Sequence, residues 1–349
     1  MEEHKDFYDI SWKVPEEEYR ADPALSYSSI AKFAREGFKA VSHLGDKIES
    51  QALTFGSAVD SIITGGQEEF NSRFFVADFP DIPDSIIQIV KVLFSRYSEE
   101  ILSLNDLDSK ILMDIALEFN YQNNWKPETK AKVICEKGDT YFGLLLMAKD
   151  KTILDLNTFK LVQNAVNALK DSPTTNKYFQ LDNPWENKKR YYQLKFKFNH
   201  NGVDYRSMAD LIIVDYDKKI VYPIDLKTSG HNEWDFQDSF IQWRYDIQAR
   251  LYWRNIRANM DADEYFKDFT LDDYTFIVVN KLNCIPLVWN FSRTQVLGDI
   301  QVNDIILQDP YVLGEDLNLY LKNPSTVPHG IYLDKPNDII NWLNKKVCK

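Results

Sequence analysis

The chain has 349 residues, of which 44% are hydrophobic and 14% aromatic, which is enough to bury a large core. Its formal charge of −12 at pH 7 excludes a protein that coats nucleic acid through a broad basic surface, but it leaves room for a local basic groove. No apolar run is long enough to span a membrane and the acidic N-terminus is unlike a signal peptide, so we expect a cytoplasmic protein without membrane contact.

The cysteines exclude several kinds of site. They are widely spaced and form no C-x-x-C pair: Cys135, Cys284 and Cys348. This spacing predicts neither a disulfide framework nor a zinc site. We also expect no iron–sulfur cluster, because the chain cannot supply four cysteine ligands.

In chain order, the first feature is an acidic stretch, and we interpret residues 1–24 as a leader ahead of a single domain that covers 25–349. Prolines in FPDIPDS mark a break at 79–85. The charge-rich pattern beyond it predicts a helical insertion over about 80–150, and another amphipathic helix follows at 153–170.

The segment RYYQLKFKF at 190–198 alternates between polar and apolar residues, as a half-buried strand does. One face carries Gln193, Lys195 and Lys197, and the other carries Leu194, Phe196 and Phe198. The two lysines belong to the densest basic cluster of the chain, at 188–197. This cluster suits either contact with nucleic acid or a solvated strand edge.

Two apolar segments at 207–214 and 220–227 flank a polar stretch of hairpin-loop length, and together they predict an antiparallel hairpin. The continuous apolar run in the first segment indicates a strand that is covered on both faces. Charged residues within such a hairpin need partners, since burying an unpaired charge costs on the order of several kcal/mol per ion.

This hairpin brings charged residues together. A turn centred near 216–217 places Asp210 across from about Pro223, with Asp225 two positions further along the partner strand and still within reach. Strand alternation places Asp225 and Lys227 on one face and Leu226 on the other. Two carboxylates and a lysine can hold a divalent cation beside a phosphate, although the same side chains could form a structural ion pair.

The segment from about 232 to 256 predicts one amphipathic helix. Its expected buried face consists of Phe236, Phe240, Trp243, Ile247 and Leu251. The polar stripe beside this face consists of Arg244, Gln248 and Tyr252. A cation, an amide and a phenol in one stripe suit binding to a phosphate, although a solvated helix flank can have the same composition.

The remaining C-terminal part predicts more regular structure. YTFIVVNK at 274–281 and CIPLVWNFS at 284–292 have the β-branched and aromatic content of strands. We interpret RTQVLGDIQVNDIILQ at 293–308 as a closing helix.

Taken together, the motifs resemble a known family. Asp210, the triplet Asp225-Leu226-Lys227 and the span from Gln248 to Tyr252 resemble motifs of the PD-(D/E)XK nuclease superfamily, in the Q-x-x-x-Y branch that includes RecE-like (exonuclease VIII-type) phage exonucleases. LSYSSIAKF at 25–33 and ALTFGSAVDSII at 52–63 are similar to the helix pair that opens RecE-like domains. The resemblance covers roughly 25–65 and 155–255, and it implies a restriction-endonuclease-like α/β core with a central mixed β-sheet flanked by helices.

The resemblance implies phosphodiester hydrolysis with Mg²⁺ or Mn²⁺. Asp210, Asp225 and the backbone carbonyl of Leu226 would bind the metal. Lys227 would orient or deprotonate the attacking water, or stabilise the pentacovalent transition state. Gln248 and Tyr252 would position the nucleotide.

Further implied partners are a DNA substrate and the proteins that use its product. Arg244 would contact phosphate, and Lys195 and Lys197 are further candidates for contact with DNA. The expected activity is an exonuclease that degrades one strand of linear duplex DNA and supplies single strands to a single-strand annealing recombinase. A homo-oligomer and, for a phage-encoded protein, the cytoplasm of a bacterial host are also expected.

Two positions depart from the family pattern. Asp60 stands where many relatives have a histidine metal ligand, and Gln193 stands where relatives often have an acidic residue. Both can supply an oxygen to Mg²⁺, so they are candidate ligands. Together with the acidic net charge, they leave open a degenerate protein that binds nucleic acid or a partner without cutting. The same fold could also belong to a structure-specific endonuclease.

Overall fold

The computed structural model describes residues 4–45, 51–179 and 187–323, so Cys348 and the first three residues of the expected leader lie outside it. The chain divides into two compact units. The first unit consists of Met1–Asp60 and Ala165–Lys349, and the second consists of Ser61–Asn164.

The helices and strands follow each other in chain order. The helices are α1 Glu16–Ala21, α2 Tyr27–Glu36, α3 Gln51–Arg73, α4 Asp84–Tyr97, α5 Ser109–Glu118, α6 Pro127–Ala148, α7 Leu156–Asp171, α8 Asn176–Phe179, α9 Phe236–Gln242, α10 Tyr245–Asp261 and α11 Pro310–Lys322. The strands are β1 Phe74–Ala77, β2 Thr152–Asp155, β3 Lys188–His200, β4 Val203–Asp215, β5 Ile220–Ser229, β6 Thr270–Leu271, β7 Tyr274–Asn280, β8 Pro286–Phe291, β9 Ile300–Val302 and β10 Ile305–Leu307.

The main sheet of the first unit is mixed. Its strand order is β3-β4-β5-β7-β8, with β6 beside β5. β3, β4 and β5 pair antiparallel, β5 and β7 pair parallel, and β7 and β8 pair antiparallel. Helix α10 packs on this sheet through Ile247 and Leu251, which share a buried cluster with Phe276 and Val278. The predicted α/β architecture with a central mixed sheet flanked by helices is therefore confirmed.

The hairpin of β4 and β5 forms as predicted, but its register differs from the prediction. Ile212 pairs with Pro223 and Leu211 pairs with Ile224, so the predicted position of Asp210 opposite Pro223 is wrong by two residues. The turn occupies 216–219, which centres it one position later than expected. Because a one-residue shift of a turn centre shifts cross-strand partners by two, Asp210 moves closer to Asp225.

The predicted continuous helix at 232–256 is wrong. The chain forms α9 and then α10, and Arg244 between them adopts a left-handed backbone with φ 57° and ψ 46°. A single left-handed residue cannot continue an α-helix, so the periodic pattern is interrupted there. Trp243 consequently leaves the buried face and is 44% exposed, whereas Phe236, Phe240, Ile247 and Leu251 are buried as predicted.

Strand β3 has the predicted alternation only beyond Gln193. This residue has φ 53°, and the ladder with β4 has paired residues on either side of it, Tyr192 with Leu211 and Leu194 with Ala209. Such a backbone is uncommon for a residue with a side chain. The buried positions change phase at this point, from Tyr191 before it to Leu194 after it.

The expected leader is part of the first unit. Phe7 is fully buried and packs with Tyr191, Phe196 and Phe266, and the backbone N–H of Trp12 donates to the carbonyl of Lys195 at 2.7 Å. The acidic composition of 1–24 does not indicate these contacts, because their partners lie far along the chain.

The predicted closing helix at 293–308 is wrong as well. The chain forms the short antiparallel pair of β9 and β10, and Asn303 between them has φ 53°. Helix α11 begins only after Asp309, whose side chain accepts from the N–H of Tyr311 at 2.8 Å and caps the helix.

The second unit is largely helical. α4, α5 and α6 bury a common cluster, which includes Ile89, Leu93, Leu112 and Phe142, and β1 and β2 form a short parallel pair. The helical insertion expected at about 80–150 falls inside this unit, which begins earlier, at Ser61. Within the described ranges, none of the helices has the length and apolarity needed to cross a membrane.

Candidate active site

Asp210 and Asp225 meet between β4 and β5. The N–H of Leu226 donates to Asp210 Oδ2 at 2.9 Å, which fixes the first carboxylate against the backbone of the second strand. Asp225 is fully buried, whereas Asp210 is half-buried and keeps contact with solvent. The hairpin therefore holds one carboxylate inside the protein and the other at its surface.

Asp225 contacts both Lys227 and Gln248. Lys227 Nζ lies 2.5 Å from Asp225 Oδ2, and Gln248 Nε2 donates to Asp225 Oδ1 at 2.5 Å. Lys227 comes from the same face of β5, two residues along, and its ammonium also lies 5.2 Å from the centre of the Tyr245 ring. Helix α10 supplies Gln248, so the sheet and the helix both determine the position of this carboxylate.

Burial and like charge govern ionisation in the site. Burial raises the pKa of Asp210 well above its ordinary value, and the neighbouring charge of Asp225 adds to this effect. Burial also raises the pKa of Asp225, although Lys227 opposes it. For Lys227, burial acts to lower the pKa, but the negative charge of Asp225 outweighs it and the pKa is raised. Lys227 is thus an ammonium ion at neutral pH, and the two carboxylates compete for a proton.

Two buried oxygen atoms beside Asp225, Gln248 Oε1 and the Tyr274 hydroxyl, lack hydrogen-bond partners among the described residues, and Asp225 Oδ2 has only its ion pair with Lys227. Buried polar atoms are normally satisfied, so this concentration at one point indicates a site for a further group. Two carboxylates with additional oxygen donors suit Mg²⁺ or Mn²⁺, which bind through one or two carboxylates and fill their other positions with water and substrate oxygens.

Asp60 and Gln193 do not complete a larger ligand set. Gln193 Nε2 donates to both carboxylate oxygens of Asp60 at 3.2 Å. Asp60 is near enough for its charge to contribute to the raised pKa of Asp210. Nevertheless, the described residues contain no group of three or more acidic, histidine or cysteine side chains that could hold one ion. The structure thus places these two candidate ligands with each other, beside the pair of Asp210 and Asp225.

Tyr252 lies in the interior, one turn after Gln248 on α10. Its ring is 8% exposed and packs edge-on against Tyr274, with 6.3 Å between the ring centres. Burial raises the pKa of Tyr252, and the charges of Asp225 and Asp210 raise it further. Its phenol is therefore neutral and can act as a hydrogen-bond donor near the carboxylates.

The basic residues selected from the sequence all have internal partners. Arg244 pairs with Asp246 at 2.8 Å and lies in the break before α10, so it is not in one stripe with Gln248 and Tyr252. Lys195 Nζ donates to the carbonyl of Val14 at 2.8 Å. Lys197 pairs with Asp22 at 2.7 Å. The acidic N-terminal segment, read as a leader, thus occupies the lysines that were candidates for DNA contact.

Arg35 is a candidate that the sequence motifs did not indicate. It comes from the last turn of α2, and its guanidinium lies over the Trp243 ring at 4.9 Å. Its charge lowers the pKa values of Tyr27 and Tyr245, whose net shifts remain upward because of burial, and both phenols in turn act on Lys227. Among the described residues it has no ion-pair or hydrogen-bond partner. Stacking fixes the plane of the guanidinium and leaves its donors available for a phosphate.

Gly56 allows α3 to approach the site closely. A Cβ atom at this position would lie 2.8 Å from Thr228 Oγ1, and Thr228 directly follows Lys227. We therefore expect Gly56→Ala to lower thermal stability and to reduce any metal-dependent cleavage about 10-fold or more, because small displacements of reacting groups are costly. Thermal unfolding and cleavage rates measure the two effects.

The matched control for this substitution is Gly143→Ala. Gly143 also lies inside a helix, α6, but a Cβ atom there would meet nothing within 4 Å. This control should stabilise the protein by about 0.5–1 kcal/mol through the lower entropy of the unfolded chain. If both variants behave alike, the close approach of α3 has no influence on the site.

Comparison with known proteins gives remote likenesses. No protein-family model matches the chain, and no curated protein matches it. Among solved structures, it is similar to a protein from Eubacterium rectale described as a candidate exonuclease, with 15% identity and a TM-score of 0.40 over 90% of this chain and 85% of that chain. It is also similar to a protein designated SSO0001, with 10% identity and a TM-score of 0.24 over 71% of this chain and 88% of that chain. Both likenesses are too remote to assign an activity.

Proposed function

We propose that the first unit is a metal-dependent DNA nuclease of the PD-(D/E)XK superfamily, in its RecE-like branch, and that it acts as an exonuclease on linear duplex DNA. The observation that carries this proposal is the contact set of Asp225 with Lys227 and Gln248, together with Asp210 held at the N–H of Leu226. A strand pair and the helix α10, which follows it in the chain, place a carboxylate pair, an ammonium and an amide at one point. An ordinary surface ion pair needs no such convergence.

The proposed chemistry assigns a role to each side chain. Asp210 and Asp225 would hold a Mg²⁺ or Mn²⁺ ion, with the carbonyl of Leu226. When bound, the ion would lower the pKa of a water molecule and neutralise charge on the phosphate. Lys227 remains an ammonium and stabilises negative charge that develops on the phosphate. Gln248 keeps Asp225 oriented, and the neutral, buried phenol of Tyr252 would act as a hydrogen-bond donor near the carboxylates.

Cleavage of end-labelled linear duplex DNA tests this proposal. We expect degradation from the ends with Mg²⁺ or Mn²⁺, none with a chelator, and no reaction with covalently closed circular DNA. Asp225→Asn and Lys227→Ala should abolish the reaction. The matched control is Asp215→Asn, which alters another buried carboxylate on β4 that faces Lys188 and Lys218 instead. Cutting of the circle would favour an endonuclease, and full activity of the Asp225 and Lys227 variants would refute the proposed site.

A binding protein without nuclease activity is the second candidate function. The limited ligand set favours it, because Asp60 pairs with Gln193 and the described residues hold no cluster of three ligands. Titration calorimetry with Mg²⁺ and Mn²⁺ distinguishes the two candidates, since a degenerate site would bind DNA without binding metal. A recombinase partner and a homo-oligomer are further proposals that depend on the nuclease activity.

Arg35 provides a test of where the substrate phosphates lie. We expect Arg35→Gln to weaken DNA binding and to reduce the salt dependence of the logarithm of the binding constant by about one unit, because one phosphate contact is lost. Binding should be measured with Ca²⁺ at several salt concentrations. Arg20→Gln is the control, since Arg20 is exposed and paired with Glu16 at 2.6 Å. Equal salt dependence in both variants would exclude Arg35 from the interface.

A further inference from the structure

Tyr274 begins β7, the strand that runs parallel to β5. Burial raises the pKa of its phenol, and the charge of the nearby Asp225 raises it further. Its ring packs against Tyr252 and against Phe276, with 5.2 Å between the latter ring centres. The residue is fully buried, and its hydroxyl has no hydrogen-bond partner among the described residues. Neither the sequence motifs nor the proposed mechanism uses this residue.

A phenol in such a position needs an explanation. Leaving a buried hydroxyl unsatisfied costs about 1–3 kcal/mol, and a phenylalanine would fill the same space without this cost. Among the nearby buried acceptors, Gln248 Oε1 also lacks a hydrogen-bond partner, and Asp225 Oδ2 has only its ion pair with Lys227. A phenol donor thus lies unsatisfied beside a carboxylate that can accept a further hydrogen bond. This is the arrangement expected of a hydrogen bond that forms when the site is loaded.

We propose that Tyr274 is a positioning residue for Asp225, whose hydroxyl holds the carboxylate in the orientation that presents an oxygen to a divalent cation. The proposal rests on the proposed function, because it assumes that the carboxylate pair binds metal. Asp225 Oδ1 is already fixed by Gln248, and Lys227 lies against Oδ2. The phenol supplies a third direction of restraint. In this role Tyr274 acts through Asp225, and it is itself fully buried.

Tyr274→Phe tests this role by two readouts that do not require catalysis. Titration calorimetry with Mn²⁺ should show affinity lowered about 10–100-fold, which is typical when a partner of a metal ligand is removed. Thermal unfolding of the metal-free protein should show an unchanged or higher midpoint, because an unsatisfied hydroxyl is lost. A purely structural tyrosine would give the reverse pattern, a lower midpoint with unchanged affinity.

Tyr205→Phe is the matched control. Tyr205 is another fully buried tyrosine of the first unit, but its hydroxyl donates to the carbonyl of Tyr311 at 3.4 Å. This variant should leave Mn²⁺ affinity unchanged. Equal affinity in Tyr274→Phe and the wild type would overturn the inference while leaving the proposed nuclease intact. Failure of the wild type to bind Mn²⁺ at all would overturn both.

Discussion

Asp210→Asn should abolish metal-dependent cleavage and at the same time stabilise the metal-free protein. The loss of activity should exceed about 100-fold, because even partners of metal ligands typically contribute 10–100-fold. The stabilisation, about 1–2 kcal/mol, follows from removing the half-buried carboxylate that repels the fully buried carboxylate of Asp225. The variant amide can still accept from the N–H of Leu226, so the hairpin contact is preserved. Chemical denaturation and cleavage assays measure the two effects.

The stabilisation by Asp210→Asn should depend on pH. The pKa of Asp210 is raised in the folded protein because of burial and of Asp225, so folding favours its protonated form. The contribution of Asp210 to the free energy of unfolding is therefore greatest below its pKa in the unfolded chain, about 3.9. This contribution is lost as the pH rises through its pKa in the folded protein. The advantage of Asp210→Asn should vanish near pH 4 and grow toward neutrality. Mn²⁺ should raise the midpoint of the wild type and not that of the variant.

The outcome separates a functional site from a structural ion pair. If the carboxylate pair were structural, Asp210→Asn would destabilise the protein at neutral pH. Asp215→Asn serves as the control, because Asp215 faces Lys188 and Lys218 instead of a second carboxylate. We expect this control to keep its activity and to gain no stability.

Asp309→Ala should cause the largest loss of stability, about 3–5 kcal/mol, because it leaves the buried Arg254 without a carboxylate partner and leaves Arg250 with Asp246 alone. Asp309 pairs with Arg254 at 2.5 Å and with Arg250 at 3.5 Å, and its Oδ2 accepts from the N–H of Gly298 at 2.8 Å. Both arginine side chains come from α10 and are almost completely buried. Denaturant unfolding of the metal-free protein gives the free-energy difference directly.

Asp261→Ala is the control for this prediction. Asp261 also pairs with an arginine of α10, Arg257, but its side chain is 61% exposed. An exposed pair of this kind contributes about 0–1 kcal/mol. A similar cost in both variants would mean that the buried position of Asp309 adds nothing to its effect.

Local periodicity in the sequence was sufficient to predict the hairpin and the convergence of its charges. The alternation of β5 determines that Asp225 and Lys227 share a face, and they are in contact in the structure. The apolar spacing in α10 likewise places Gln248 beside the sheet. The catalytic and metal-binding roles of these residues stay predictions until the metal and cleavage experiments are done.

Features that depend on a single backbone conformation or on distant partners were not predictable. One left-handed residue, Arg244, ends the helical pattern and exposes Trp243. The partners of Lys195 and Lys197 come from the N-terminal segment, about 175–181 residues away along the chain. Tyr274 adjoins Asp225 only because β7 pairs with β5. No motif spacing carries that information.

The left-handed break at Arg244 also bears on how this chain can tolerate changes of length. In a continuous helix each inserted residue rotates all later side chains by about 100°, since a turn contains 3.6 residues. Here α9 and α10 are separate helices, and the orientation of Gln248 is set by its own contact with Asp225. We therefore expect that adding or removing a residue in α9 would alter α9 and its connection to α10 at Trp243 and Arg244. The side chains of α10 would keep their direction.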